Sequence, residues 1–310
     1  MKLCQMQLYS VGLCGKDHAY VKFERLRAMG CSCVVYDAEL AGQSCIVKEH
    51  FPEGLAEQGT IYRRKNGAIC LRKPPVGWIA WHLTRLRYIR AVMLAQRLQH
   101  LPVLSHSIVP LRGLYRANNT LYTVTETEGR DSLAWNLIDT ESVDRIIDIC
   151  IQIANMTEQI HKLGWLMIDI KASNYVVADA PSGAVMVRMI DFDSMVQRKH
   201  APLIRRFFCS SETAPPEMIK GNGWDVSTHS DVYSIAAMLF RKLTKQPVMQ
   251  DLRRTFDERA LPLMVDWPPS KITRLMETLE FALMQNPHIR MSSCCELASR
   301  LKGCKSYEDL

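Results

Sequence analysis

His161-Lys-Leu-Gly-Trp-Leu-Met-Ile-Asp-Ile-Lys-Ala-Ser-Asn174 is the stretch on which the reading of this chain turns. A helix runs into a loop that sets Asp169, Lys171 and Asn174 at the spacing D-x-K-x-x-N, and strand-like Tyr175-Val176-Val177 follows. A carboxylate, an amine and an amide so close can face one point. Phosphoryl transfer needs such a set: a carboxylate to orient the attacking hydroxyl, a cation for developing charge, and an amide oxygen for a metal. A polar turn has the same composition, so the spacing alone leaves both readings open.

Further segments tilt the choice. Val187 to Ile190 reads as a strand that delivers Asp191-Phe192-Asp193 at its end, where a carboxylate can hold magnesium bridging nucleotide phosphates. Upstream, Cys45-Ile46-Val47-Lys48 places a lysine at the end of an apolar strand. A buried cation there needs an anionic partner, which nucleotide phosphates supply, unless the side chain snorkels from a strand edge.

Around these motifs the first half is strand-rich. Val21 to His50 carries a β-branched run at Val34 and Val35, a turn at Ala41-Gly42, and then Cys45 to Val47. A second hairpin joins Ile61–Arg64 to Ala68–Leu71 through Asn66-Gly67. From Ile79 to Leu98 the spacing of Ile79, Leu83, Leu86, Ile89 and Met93 predicts a helix, with arginines on its other faces. The second half is helical. A 3.6-residue period runs from Val143 to Ala154 with Glu141 at the helix start, Val232 to Leu243 is apolar nearly all round, and Ile272 to Leu283 is amphipathic. Ser293 and Glu296 open a last helix as a capping box.

Composition narrows the class. With 310 residues and 47% hydrophobic content, the chain can bury one large domain or two lobes. The net charge of +7 is concentrated, because no Asp or Glu occurs from Gln58 to Thr125 while nine Lys and Arg accumulate between Arg63 and Arg97. That face is either a solvated basic surface or a docking surface for an acidic segment or a phosphate-bearing ligand; nucleic acid is not expected. Eleven scattered cysteines without a CxxC pair fit a reducing cytoplasm rather than a disulfide framework. Neither a secretory signal nor a membrane span is expected.

From about Phe23 to Leu301 the order of these motifs resembles the eukaryotic-type (bacterial Hanks-type) serine/threonine protein kinase family, as a degenerate member. The resemblance implies an α+β, bilobal protein-kinase-like fold with a small β-rich N-lobe and a larger helical C-lobe. Its limits would be an N-terminal extension over 1–22, an N-lobe over 23–125 with an inserted hairpin near 60–72, a hinge over 126–130, a C-lobe over 131–304 and a tail over 305–310. It implies ATP and Mg2+ (or Mn2+) as cofactors and a protein substrate, with control by a regulatory protein partner. Asp169 and Lys171 would be catalytic; Asn174 and Asp191 would hold the metal. Gly30, Ser32 and Val35 in the glycine-rich loop would bind nucleotide, with Lys48 on the phosphates, Thr125 as gatekeeper, and Glu126 to Glu128 offering backbone groups to adenine. Ser210 would hydrogen-bond Asp169 and Lys171. Glu217 of Ala214-Pro-Pro-Glu217 would pair structurally with Arg290, and Asp231 would brace the catalytic-loop backbone.

Departures from the pattern are as informative. The loop from Ala28 to Tyr36 keeps one of three expected glycines, Gly30, which limits how closely backbone amides approach phosphates. Ala91 stands where a glutamate partner for Lys48 belongs; Glu49, Glu53 and Glu57 are the substitutes on offer. Met167-Ile168 replaces His-Arg, and Asp193 replaces a glycine, either as a turn residue or as an added metal ligand. The reading is therefore an active kinase, with a pseudokinase acting as a nucleotide-binding or scaffolding module as the alternative. A small-molecule phosphotransferase is a third reading, but it leaves Pro215-Pro216-Glu217, Asp231 and Arg290 unexplained.

Overall fold

The computed structural model describes residues 5–11, 18–72, 76–127, 133–139, 141–180, 182–248 and 251–305. The chain divides into two compact units, Met1–Arg130 and Asp131–Leu310.

The first unit is a closed barrel built from β1 (Gln5–Ser10), β2 (His18–Met29), β3 (Cys33–Leu40), β4 (Gln43–His50), and, after an excursion, β7 (Leu111–Ala117) and β8 (Thr120–Glu126), in the order β1-β2-β3-β4-β8-β7. Side chains alternate between the two faces of each strand, so Val21 and Phe23, Val34 and Tyr36, and Cys45 and Val47 share the core with Leu8, Tyr122 and Val124. The Ala41-Gly42 turn has φ of +52° and +79°, the doubly positive geometry that matches strand twist in a two-residue hairpin. Strand β1 pairs with β2 and, at Tyr9 and Ser10, with β7, which closes the barrel.

The excursion holds a short helix α1 (Glu53–Glu57), a hairpin of β5 (Ile61–Arg63) and β6 (Ile69–Leu71), and the long helix α2 (Val76–Gln99). In the hairpin turn only Gly67 has positive φ, at +88°, so the Asn-Gly signal marks the turn without both residues entering the left-handed region. Helix α2 exists where expected, but the apolar row does not face inward, and Arg90 and Arg97 share its side of the helix rather than lying on other faces. Ile79, Leu83, Leu86 and Met93 are exposed, whereas Trp81, Tyr88, Val92, Ala95 and Leu98 are buried. The helix is apolar on two faces, and the aromatic one wins. Trp81 packs with Ile61 and Ile69 of the hairpin, and Tyr88 and Val92 pack with Leu114 and Leu121 of the barrel.

The second unit is mostly helical: α3 (Val143–Lys162), α4 (Pro216–Ile219), α5 (Thr228–Thr244), α6 (Leu252–Arg259), α7 (Pro269–Ala282) and α8 (Cys294–Lys305). Helix α5 is buried on nearly every side, as its uninterrupted apolar run requires, and α3 packs against both α5 and α8. Ser142 caps α3 by accepting from the Arg145 N–H, so Glu141 lies just outside the helix and instead accepts from the Trp135 indole at 2.6 Å. Ser293 caps α8 through the Glu296 N–H. Short strands β9 (Leu133–Ala134), β10 (Trp165–Leu166), β11 (Tyr175–Asp179), β12 (Val185–Met189) and β13 (Val196–Gln197) form a three-stranded sheet, β12-β11-β9, and a β10-β13 pair. No helix among the described residues is long and apolar enough to cross a membrane.

Candidate functional site

Helix α3 ends at Lys162, Gly164 turns the chain at φ +81°, and β10 leads into Met167-Ile168-Asp169. The backbone here is strained. Ile168 is β-branched, fully buried, and has φ of +72°, a conformation that costs an isolated residue about 1–3 kcal/mol. Asp231, near the start of α5 and wholly buried, holds it there. One carboxylate oxygen accepts from the Ile168 N–H at 3.0 Å; the other accepts from the Met167 N–H at 2.8 Å and lies 2.7 Å from His161 Nε2. The brace expected of Asp231 is present, and His161, in the last turn of α3, is a member that the sequence reading missed.

The strain sets the direction in which Asp169 leaves the chain. One Asp169 oxygen lies 2.6 Å from Lys171 Nζ, and the other accepts from the Ser210 N–H at 2.7 Å. Ser210 reaches the site through its backbone N–H, and its hydroxyl accepts from the Glu212 N–H at 3.4 Å. Thr213 adds a second tie between these segments by donating to the Ile170 carbonyl at 2.7 Å. No sequence signal singled out Thr213.

Asn174 is buried and donates its amide nitrogen to the Asp169 carbonyl at 2.8 Å, which leaves the amide oxygen as its acceptor, the atom a hard cation takes. Register fixes its neighbour. Tyr175 pairs with Met189 across β11 and β12, and the Ile190 N–H donates to the Asn174 carbonyl at 3.0 Å, so Asp191 follows the residue opposite Asn174. The Asp191 carboxylate accepts from the Asp193 N–H at 3.0 Å. The predicted residues Asp169, Lys171, Asn174 and Asp191 thus belong to one stitched assembly of loop and hairpin. An amide oxygen and a carboxylate at adjacent register positions are the donor types that a magnesium ion prefers.

The frame beneath is rigid. Glu217 and Arg290, both buried, form a two-pronged ion pair at 2.7 and 3.1 Å. Ser230 donates to the same carboxylate, and the arginine donates to the carbonyls of Met284, His229 and Gln285. This is the structural pair expected from the sequence, with its hydrogen-bonding capacity filled, which a buried ion pair needs in order to be tolerated.

In the first unit, Val35 pairs with Lys48 and Lys48 with Thr123, while Ile46 pairs with Thr125. Directly opposed residues share a face, and faces alternate by two, so Val35, Lys48 and Thr125 lie together on the side of the sheet away from the barrel core. Tyr88 of α2 docks on this face and donates to the Lys48 carbonyl at 3.0 Å, with its oxygen 2.8 Å from the Thr123 hydroxyl. Gly30 and Ser32 occupy the turn between β2 and β3. The carbonyls of Cys31 and Ser32 accept from the N–H groups of Glu53 and Phe51, so the turn is pinned onto the chain after β4. Gly30 has ordinary φ and room for a side chain.

One expectation is corrected here. Glu49 does not stand in as the partner of Lys48: strand alternation turns it to the opposite face, where it is buried, pairs with Arg63 at 2.7 and 2.8 Å, and accepts from the hydroxyls of Tyr36 and Tyr122. Burial, with the Glu49 charge adding to it, pushes the Tyr36 phenol up to about 12 and Tyr122 higher still. The Glu126 N–H donates to the Pro110 carbonyl at 2.9 Å, which leaves its carbonyl as the backbone group on offer, and its side chain lies 3.5 Å from Arg112. Glu128 lies outside the described residues. Ala91 is buried within α2.

A family model described as the protein kinase domain matches residues 87–299. That span takes in Thr125, Asp169, Lys171, Asn174, Asp191, Glu217 and Arg290, and leaves out Gly30, Ser32, Val35 and Lys48. Among solved structures, the kinase domain of Mycobacterium tuberculosis PknI is 17% identical, with 92% of this chain and 96% of that chain covered at a TM-score of 0.58. The apo form of PpkA-294 is 18% identical, with 91% and 95% covered at 0.61. At this identity the likeness is one of fold.

Proposed function

The chain belongs to the protein kinase domain family, and on that premise we propose that it transfers the γ-phosphoryl group of ATP to serine or threonine hydroxyls of a protein substrate, with magnesium or manganese. One observation carries the proposal: the Asp169 carboxylate is held by Lys171 on one oxygen and by the Ser210 N–H on the other, within the loop that also presents Asn174 and leads to Asp191. In this reading Asp169 orients the substrate hydroxyl and takes its proton as the hydroxyl oxygen bonds to phosphorus and ADP departs. Lys171, partly exposed beside it, neutralises charge on the transferred group. The oxygens of Asn174 and Asp191 hold the divalent ion, which supplies Lewis-acid stabilisation of the phosphates when bound. Lys48 takes the phosphates, Gly30, Ser32 and Val35 cover the nucleotide, and Thr125, Glu126 and Glu128 line the adenine side. For Glu126 the group on offer is its carbonyl.

Lysine at position 171 is the basis for preferring serine or threonine over tyrosine as acceptor. The same reading divides the chain into an N-lobe, a hinge near 126–130 and a C-lobe. Incubating the purified protein with labelled ATP, magnesium or manganese and a generic protein substrate tests it. Transfer no higher than that of an Asp169→Asn control overturns it.

A second reading, a pseudokinase that binds nucleotide or a partner without transfer, is favoured by three observations. Ala91 is buried where an acid is expected, Glu49 is committed to Arg63, and the turn at Cys31-Ser32 is pinned to Phe51 and Glu53. It predicts a thermal shift with ATP in the absence of any labelled product.

A further inference from the structure

Helix α2 carries an outward stripe that nothing in the proposed chemistry uses. At 100° per residue, Ile79, Leu83, Leu86, Arg90, Met93 and Arg97 fall within one narrow sector. All six are exposed, and the large apolar members strongly so: Ile79 52%, Leu83 61%, Leu86 62% and Met93 37%. Trp78, 52% exposed, borders the stripe at its start. Eighteen residues of rise make the stripe about 27 Å long. Scattered exposed leucines need no explanation, but an aligned row of four large apolar side chains on one helix marks an interaction surface. The opposite face of α2 is already satisfied by the hairpin and the barrel, so the row is not a core face awaiting its own fold.

Charge says what covers it. The chain has no Asp or Glu from Gln58 to Thr125, and Arg90 and Arg97 sit inside the stripe, one between Leu86 and Met93 and the other beyond Met93. A shallow depression, largely open to solvent and lined by Met93, Gln96, Arg97 and His100, ends the row. We infer that this stripe docks an amphipathic helix of a partner protein, with apolar residues facing Ile79, Leu83, Leu86 and Met93 and carboxylates facing Arg90 and Arg97. A second copy of this helix is a poor occupant, because it would bury arginines against an acid-free surface. A bilayer is also a poor one, because it presents its anions at one level, whereas the arginines interrupt the apolar row along its length. The inference does not depend on catalysis, so its failure leaves the kinase reading untouched.

The test uses the full chain and a fluorescent helical peptide of about 18 residues, with leucines at three- and four-residue spacing and glutamates beside them. Controls are a scrambled peptide of the same composition, a lysine-for-glutamate version, and vesicles containing phosphatidylserine. Saturable binding of the glutamate peptide alone is expected. Leu83→Ser and Leu86→Ser should each weaken it about tenfold. The double variant Arg90→Glu with Arg97→Glu should lose the glutamate peptide and gain the lysine one, a switch that misfolding cannot mimic. Equal binding of the scrambled peptide, unchanged affinity in the leucine variants, preference for vesicles, or a concentration-dependent dimer that Leu86→Ser dissolves would each overturn it.

Discussion

Asp231→Asn isolates the brace on the loop that carries Asp169. The substitution keeps the shape of the side chain but leaves it one acceptor oxygen where there were two. If that oxygen stays with Met167 and His161, the new NH2 group faces the Ile168 N–H, donor against donor, at the position of a 3.0 Å hydrogen bond. An unsatisfied buried N–H costs about 1–3 kcal/mol, and loss of the charge removes roughly half the strength of the remaining bonds. Together these give about 2–4 kcal/mol. For a domain of 150–250 residues that lowers the melting temperature by about 4–16 °C.

The strain at Ile168 adds a separate signature. Its positive φ persists only while the surroundings over-determine it, so the weakened brace lets this residue relax toward the extended region and recover part of about 1–3 kcal/mol. That relaxation moves Asp169, the next residue. Stability therefore falls by less than the lost hydrogen bonds imply, and kcat falls by more than the unfolded fraction implies. Calorimetry and labelled-phosphate transfer below the transition measure the two separately. A melting temperature within 1 °C of the parent, with unchanged kcat, would refute the reasoning.

Other consequences follow from the same geometry. Arg290→Met should destabilise the second unit by about 3–5 kcal/mol by stranding the Glu217 carboxylate, and adding Glu217→Gln should restore part of that loss, as calorimetry would register. His50 lies between the rings of Trp81 and Tyr88, and burial with the nearby Arg85 pushes its imidazole down to about 3. The folded state keeps His50 neutral while the unfolded chain protonates near its ordinary value, so stability is unaffected by this group above about pH 6.5 and is lost as pH falls from there toward 3; the loss amounts to roughly 3 kcal/mol two units below the ordinary value. Replacement by Leu should flatten that part of the stability profile. Asp191→Asn should abolish the increment that magnesium adds to an ATP-induced thermal shift while leaving the melting temperature without ligands within about 2 °C, because the side chain's only described structural bond is to the Asp193 N–H.

How much of this was legible in the residues depends on which interaction decides each feature. The helical unit was legible because its signals are local and agree: a continuous apolar run for α5, a 3.6-residue period for α3, a serine cap for α8. The orientation of α2 was not legible, because periodicity reports that a helix has an apolar face and cannot say which of two such faces meets the protein. Burial of Trp81 and Tyr88 rather than Ile79 and Leu83 was settled by a hairpin and two strands distant in sequence, where an aromatic ring removes more apolar surface from water than a leucine.

The candidate site divides along the same line. Asp169, Lys171, Asn174 and Asp191 could be named because short spacing and the register of one hairpin bring them together, and a hairpin's register follows from its own alternation. Thr213 and the Ser210 N–H could not, since a hydroxyl bonded to a remote carbonyl and a backbone N–H have no composition to read. Glu49 is the sharper case. It is adjacent to Lys48 in sequence, which suggested a substitute partner, yet adjacency in a strand means opposite faces. The alternation that makes Cys45 and Val47 core residues also commits Glu49 to the inside of the barrel. A buried carboxylate requires a cation and donors, and Arg63 can serve only because the inserted hairpin carries it there. The insertion near 60–72 is thus tied to Glu49 by electrostatics: removing the hairpin without also replacing Glu49 would leave an uncompensated charge in the barrel core.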